Sequence, residues 1–141
     1  MLFRSLGAEA AIMGTRLLAT RECPLHDNLK QALLAASEVD TMLILKSMGM
    51  SFRVWANDGA KKCEALVKEG GDLEEAFSMV AGDKARQMYA GGDTGLGVLY
   101  CGQGVGLAHD IPSVKELFQR IVTEAEHKIN ALGAAISPVR P

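Results

Sequence analysis

The apolar positions of this chain repeat mostly at helical spacing, with a few short continuous runs between. Leu29, Ala32, Leu33 and Ala36 fall on one face, and Asp27 before them is a plausible N-cap, so the spacing predicts a helix there. Asn57 can cap a second helix running to about Glu69, with Ala60, Cys63, Leu66 and Val67 inward and Gly70 ending it. Asp72 with Glu75 reads as a capping box ahead of a stripe of Leu73, Ala76, Phe77 and Val80, and Gly82 stops that helix. "DKARQMYA" follows as a short helix. The clearest element is the last, where Ser113 and Glu116 form a capping box and Val114, Leu117, Ile121, Ala125, Ile129 and Leu132 mark one face until Gly133. Glu116 with Arg120 and Glu124 with Lys128 stand four residues apart in the favourable order.

Three runs read as strands. "TMLILK" and "SFRVWA", separated by a turn at Gly49, suggest a small hairpin. Ala10 to Met13 reads as a short strand buried on both faces, the kind found inside a parallel sheet, after a helix turn closing at Gly7. Its sheet is missing from the pattern: helices outnumber strands, and nothing pairs with it. Such an imbalance points to an unusual small fold or to part of a larger one. The tail "AAISPVRP" carries no pattern and is expected to be loose.

Composition narrows the function classes. With 141 residues, 48% of them hydrophobic and 23% charged, the chain has the make-up of one globular domain. A net charge of -2 gives no electrostatic reason to expect nucleic acid or an anionic membrane. No leader and no window of membrane-spanning length is evident, so a cytoplasmic location is expected. Cys23, Cys63 and Cys101 form no metal or disulfide spacing and read as reduced packing residues. His26, His109 and His127 are scattered, so no metal site is expected, and no catalytic residue is assigned.

Two segments carry candidate chemistry. "MGTR", residues 13–16, is a sensible phosphate cradle: Gly14 admits close backbone approach, following amides can point at an anion, and the Thr15 hydroxyl adds a donor. A simple turn with an ion-paired Arg16 explains the same residues. "CGQGVGLAHDIP" holds Gly102, Gly104 and Gly106, but Leu107 stands where a dinucleotide fingerprint needs its last glycine, and no βαβ unit surrounds it. That leaves either a ligand loop with Gln103 as a polar contact or a tight turn.

Taken together, "GAEAAIMGTRLLATREC", "EVDTMLILKSMGMSFRVWAN" and "GDTGLGVLYCGQGVGLAHDIPSVKELFQRIVTEAE" resemble the C-terminal half of the nitronate monooxygenase family, formerly 2-nitropropane dioxygenases. That family also includes FMN-dependent NADH:quinone reductases and flavin-type enoyl-acyl carrier protein reductases. "VAGDKARQMYAGGDTGLGV" followed by "CGQGVGL" is most similar to the quinone reductase branch.

The resemblance implies an α/β fold, the FMN-binding TIM barrel, of which this chain would be a mostly helical C-terminal part. Residues 1–22 would end the barrel with its last strand and phosphate loop, and residues 23–100 would be an inserted helical substrate domain. Residues 101–133 would be the flavin-side loop and final barrel helix, and 134–141 the loose tail. Ile12, Met13, Gly14 and Thr15 match the segment that holds the FMN phosphate, and Gln103 and Gly104 the loop returning to the flavin. The implied reaction oxidises a nitronate or passes electrons from NADH to a quinone.

The family's catalytic histidine lies in the other half, and no histidine here matches it. The "SMGMSFRV" stretch also departs from its family counterpart, lacking the expected polar character. Weak or absent FMN binding by this chain alone is therefore expected. The competing expectation is a small helical interaction module that dimerises through exposed barrel surfaces.

Overall fold

The computed structural model describes Gly7 and residues 9–135. Helices α1 (Thr15–Leu18) and α2 (Asp27–Ala35) come first, then strands β1 (Thr41–Ile44) and β2 (Phe52–Trp55). Helices α3 (Asp58–Lys68), α4 (Leu73–Val80), α5 (Asp83–Gly91) and α6 (Val114–Ala135) follow. Short 3-10 turns occupy Lys46–Met48 and Gln103–Leu107.

The expected hairpin forms. β1 and β2 are antiparallel, with Thr41 opposite Trp55 and Ile44 opposite Phe52. The segment after α5 touches β2: Tyr100 forms an isolated bridge with Val54, and the Trp55 N–H donates to the Leu99 carbonyl at 2.9 Å. Leu45, which leaves β1, holds an unusual positive φ of 62°. Its N–H donates to the buried Glu64 carboxylate at 2.7 Å, which fixes the start of the connection and ties the hairpin to α3.

Two apolar clusters fill the body. One joins the hairpin to α3 and α4 through Ile44, Val54, Ala60, Cys63, Met79 and Val98. The other joins α2 and α5 to the glycine-rich segment through Leu29, Leu33, Met88, Leu99, Cys101 and Val105. Burial of the Val, Leu, Ile and Met side chains among these, each contributing about 1.5–3 kcal/mol, sets the positions of the loops discussed below.

Most helix boundaries follow the local rules. Asn57 caps α3 by accepting from the Ala60 N–H at 3.0 Å. At the other end Gly70, with φ of 67°, lets the chain reverse so that the Gly71 N–H reaches the Leu66 carbonyl at 2.8 Å. The capping box before α6 is complete: the Ser113 N–H donates to Glu116 Oε2 at 2.7 Å, and the Glu116 N–H to Ser113 Oγ at 3.2 Å.

Several expectations are corrected. Ala10 to Met13 is not a strand: it has no paired neighbour among the described residues, and Ile12 is fully exposed. A strand exists by hydrogen bonding to another, and among the described residues no other segment pairs with it. The helix turn expected before Gly7 lies outside the described residues, as do residues 136–141 of the tail.

α2 is capped one residue earlier than expected, by His26 Nδ1 accepting from the Asn28 N–H at 3.1 Å. At α4 only half of the capping box forms. Asp72 accepts from Glu74 and Glu75, but the Glu75 side chain turns away to Lys62 at 2.8 Å and Lys84 at 2.6 Å. Those two ammonium groups, Lys62 foremost, lower its carboxyl to about 2. Leu73 and Phe77, expected inward, are exposed, and the buried face is Ala76, Met79 and Val80. α6 continues past Gly133 to Ala135, and of its expected stripe Leu117 is buried while Ile129 and Leu132 stand open.

Candidate functional site

Thr15 opens α1, a single helical turn that begins where the exposed Ala10–Met13 segment ends. Its hydroxyl accepts from the Gly102 N–H at 2.8 Å, a bond across 87 positions that places the Gly14–Thr15 turn beside the glycine-rich segment. The second apolar cluster makes this possible, because Leu18, Cys101 and Val105 all pack into it.

The same region is braced by charge. Arg16 Nη2 donates to Asp110 Oδ1 at 2.5 Å, and Nη1 donates to the carbonyls of Ala19 and Asp110 at 3.0 and 3.1 Å. Arg120 from α6 binds the other oxygen of the same carboxylate. The hydrogen bond from Arg120, more than any other contact, holds the Asp110 carboxyl below its usual range. Asp110 thus joins α1 to α6 by pairing with both arginines. The turn-with-paired-arginine reading of "MGTR" is therefore realised, and it coexists with a cleft.

That cleft, of about 490 Å³, is lined by Ile12, Met13, Gly14, Thr15, Gly104, Leu107 and the α6 residues Leu117, Arg120, Ile121 and Glu124, with Arg16 alongside. Five of the six residues expected to contact a cofactor meet here. Gln103 does not line the cleft; it is exposed at the start of its 3-10 turn. A second cleft, of about 390 Å³, shares Gly14 and Thr15 with the first and is lined also by Leu18, Arg53, Tyr100, Cys101 and Gly102.

The residues fit an anionic group approaching the backbone. A Cβ added at Gly14 or Gly104 would meet nothing within 4 Å, and neither has positive φ, so neither packing nor conformation of this chain requires glycine there. Open space over two cleft-lining glycines is what a ligand needs to reach main-chain N–H groups.

Cys101 lies buried in the second apolar cluster. Burial, partly offset by the nearby Arg53 guanidinium, pushes its thiol up to about 11. Among the described residues no cluster of His, Cys, Asp and Glu is placed to hold a metal ion, and no helix is long and apolar enough to cross a membrane.

A family model for nitronate monooxygenase matches residues 3–124. The chain belongs to the nitronate monooxygenase family. Within it, the chain is 32% identical to (3aS,4S,5R,7aS)-5-hydroxy-7a-methyl-1-oxo-octahydro-1H-indene-4-carboxyl-CoA dehydrogenase of Rhodococcus jostii (strain RHA1), covering 91% of this chain and 46% of that one. It is 25% identical to the protein of the same name from Mycobacterium tuberculosis, over 92% and 47% of the two chains. Among solved structures, FabK from Thermotoga maritima superposes with a TM-score of 0.82 at 31% identity, covering 94% of this chain and 42% of FabK.

This chain therefore spans somewhat under half the length of these relatives. The fold class expected from the sequence, a mostly helical part of the FMN-binding TIM-barrel family, stands on this match and superposition. The family is one of FMN-dependent oxidoreductases acting on small molecules.

Proposed function

We propose that this chain forms the phosphate-loop wall and substrate-side domain of an FMN-dependent oxidoreductase. In this reading Gly14 and Thr15 hold the FMN phosphate, Ile12 and Met13 lie along the cofactor, and Gly104 lets it approach the chain. Gln103, exposed on the adjacent turn, supplies a polar contact from above. The observation that carries the reading is the Thr15–Gly102 hydrogen bond, which brings the two glycine segments to one cleft with open space over Gly14 and Gly104.

The chemistry FMN supplies when bound is reversible uptake and release of electrons. This chain's own contribution is binding and orientation: backbone amides and the Thr15 hydroxyl face the anion, while the Arg16–Asp110–Arg120 network holds α1 and α6 in place. The substrate reading is oxidation of nitronates or electron transfer from NADH to a quinone. The CoA-thioester dehydrogenases add a carbonyl compound as a further candidate. Residues 23–100 would carry the substrate contacts.

One wall of a phosphate site binds weakly, so FMN affinity of this chain should be poorer than about 10 μM, with little or no turnover. Riboflavin, which lacks the phosphate, should bind about tenfold more weakly still, and Thr15→Val, which removes one of the donors, should narrow that difference. Flavin fluorescence titrations check this. Equal affinities for FMN and riboflavin in the unmodified chain would refute the phosphate assignment.

A second reading has its own observation. Beyond its first turns α6 is exposed, with Val122, Ile129 and Leu132 each more than half open to solvent and Phe118 nearly so. Apolar surface of that extent on one helix favours self-association. In this reading the chain is a dimerising module without catalysis. Light scattering after size-exclusion should then give twice the 15.0 kDa chain mass, and a monomer at all concentrations would exclude it.

A further inference from the structure

The connection between β1 and β2 turns on a residue in an unfavourable conformation. Leu45 holds φ of 62° and ψ of 20°, and among the described residues no other non-glycine residue has positive φ. A Cβ crowds the backbone in this left-handed region, so glycine, asparagine or aspartate is its usual occupant. Gly49, at φ of 74°, closes the same turn without that cost. Leucine at position 45 is explained by packing, because its side chain is buried in the first apolar cluster. Its backbone conformation needs a separate support.

Glu64 on α3 supplies it. Glu64 is itself buried, and its Oε2 accepts from the Leu45 N–H at 2.7 Å. The Leu45 carbonyl in turn accepts from the Met48 and Met50 N–H groups, at 3.1 and 3.3 Å. One residue thus carries the base of the turn on both of its polar groups, and Lys46, Ser47, Met48 and Gly49 stand exposed beyond it. The other carboxylate oxygen of Glu64 lies 3.4 Å from the Nζ of Lys68, a side chain largely in solvent. The same carboxylate therefore serves a strained backbone amide and a surface cation.

A hydrogen bond to a buried carboxylate is stronger than one to a neutral acceptor. Without it the Leu45 amide is buried and unpaired, and the residue returns to the extended region that leucine prefers. The Met48 and Met50 amides then lose the carbonyl they point to. Turn geometry fixes which strand residues face each other, so the change extends to the pairing of Ile44 with Phe52. Phe52 packs edge-on against Tyr100, with ring centroids 5.7 Å apart, in the segment that leads to Gly102.

We infer that the Leu45–Gly49 connection is a two-state latch. Glu64 holds it closed, with the exposed tip hydrogen-bonded to the Leu45 carbonyl, and loss of the carboxylate opens it. The latch is independent of the cofactor assignment and survives its failure.

Lys46 stands at the tip, so trypsin reads the state of the latch: the Lys46–Ser47 bond is cut in the open form, leaving residues 1–46 and 47–141. The test pairs limited trypsin digestion of the full chain, with fragments identified by mass, with amide hydrogen exchange at Met48 and Met50. Glu64→Met keeps side-chain bulk without an acceptor, and it should raise both cleavage at Lys46 and the two exchange rates about tenfold or more. Glu64→Gln retains an oxygen and should raise them about threefold. Val67→Ala, which loosens α3 without touching the Leu45 amide, should change them less than about threefold.

Rates within about twofold of the unmodified chain in Glu64→Met overturn the inference. An equal rise in Val67→Ala also overturns it, by making Glu64 a residue of general stability alone. If Glu64→Met does not fold, Glu64→Gln decides, and unchanged exchange at Met48 and Met50 in that variant sinks the latch.

Discussion

Gly59→Ala is expected to destabilise the chain by about 3 kcal/mol, the upper end of what overpacking costs. Gly59 is buried in the first turn of α3, where a Cβ would stand 2.2 Å from the Gly97 carbonyl oxygen and 3.0 Å from that of Gly95. Both obstacles are backbone, so no side-chain rotation relieves them. The Gly97 segment cannot retreat either, because a Cβ at Gly97 itself would lie 3.0 Å from the Ala85 backbone, and the neighbouring Val98 N–H donates to the Met79 carbonyl at 2.9 Å. For a domain of this size the melting temperature should fall by about 10 °C. Thermal unfolding followed by circular dichroism checks the figure, and a fall of less than about 2 °C would show that α3 can shift away from Gly97.

Asn57→Ala is expected to cost a similar amount, about 3–4 kcal/mol, for a different reason. Asn57 is buried and uses both ends of its amide. Oδ1 accepts from the Ala60 N–H at 3.0 Å as the α3 cap, and Nδ2 donates to the Thr94 and Gly97 carbonyls at 2.6 and 2.9 Å. Losing the cap costs about 1 kcal/mol, and leaving two carbonyls short of a donor costs about 1 kcal/mol or more each.

Asn57→Asp separates the two contributions, since a carboxylate still caps α3 but cannot donate and faces two carbonyl oxygens. It should be at least as destabilised as Asn57→Ala. Denaturant midpoints for both variants measure this, and a near-native Asn57→Asp would mean that the cap alone matters.

These residues also show what the sequence made legible. Local signals worked where the stabilising contact is local: the Asn57 cap, the Gly70 reversal and the Ser113–Glu116 box each involve groups within a few residues. The second role of Asn57, thirty-seven and forty residues away at Thr94 and Gly97, has no local signature. Glu75 shows the same competition in reverse, because two lysines from α3 and α5 draw its side chain out of the capping box that spacing alone suggests.

Burial was legible only in part. Phe77, Ile129 and Leu132 sit at helical spacing and yet face outward, since periodicity marks an apolar face without saying whether anything in the chain covers it. Ala10 to Met13 is the same case for a strand: its residues carry the preference, and no segment among the described residues pairs with it.

The structure brings the two glycine segments singled out in the sequence to one cleft, but the bracing of that cleft had no local signature. Asp110 lies in "HDIP", where nothing within a few residues marks it as the partner of Arg16, ninety-four positions earlier.

The central claim is that Gly14, Thr15 and Gly104 form one wall of an FMN site. The most direct measurement is an amide proton–nitrogen correlation spectrum of the labelled chain titrated with FMN. The account predicts saturable shifts at Gly14, Thr15, Gln103 and Gly104, with the largest at Gly14 and Thr15, and unmoved signals along Leu73–Val80. Shifts that concentrate on the exposed face of α6, or on α4, while Gly14 and Thr15 stay in place would contradict it.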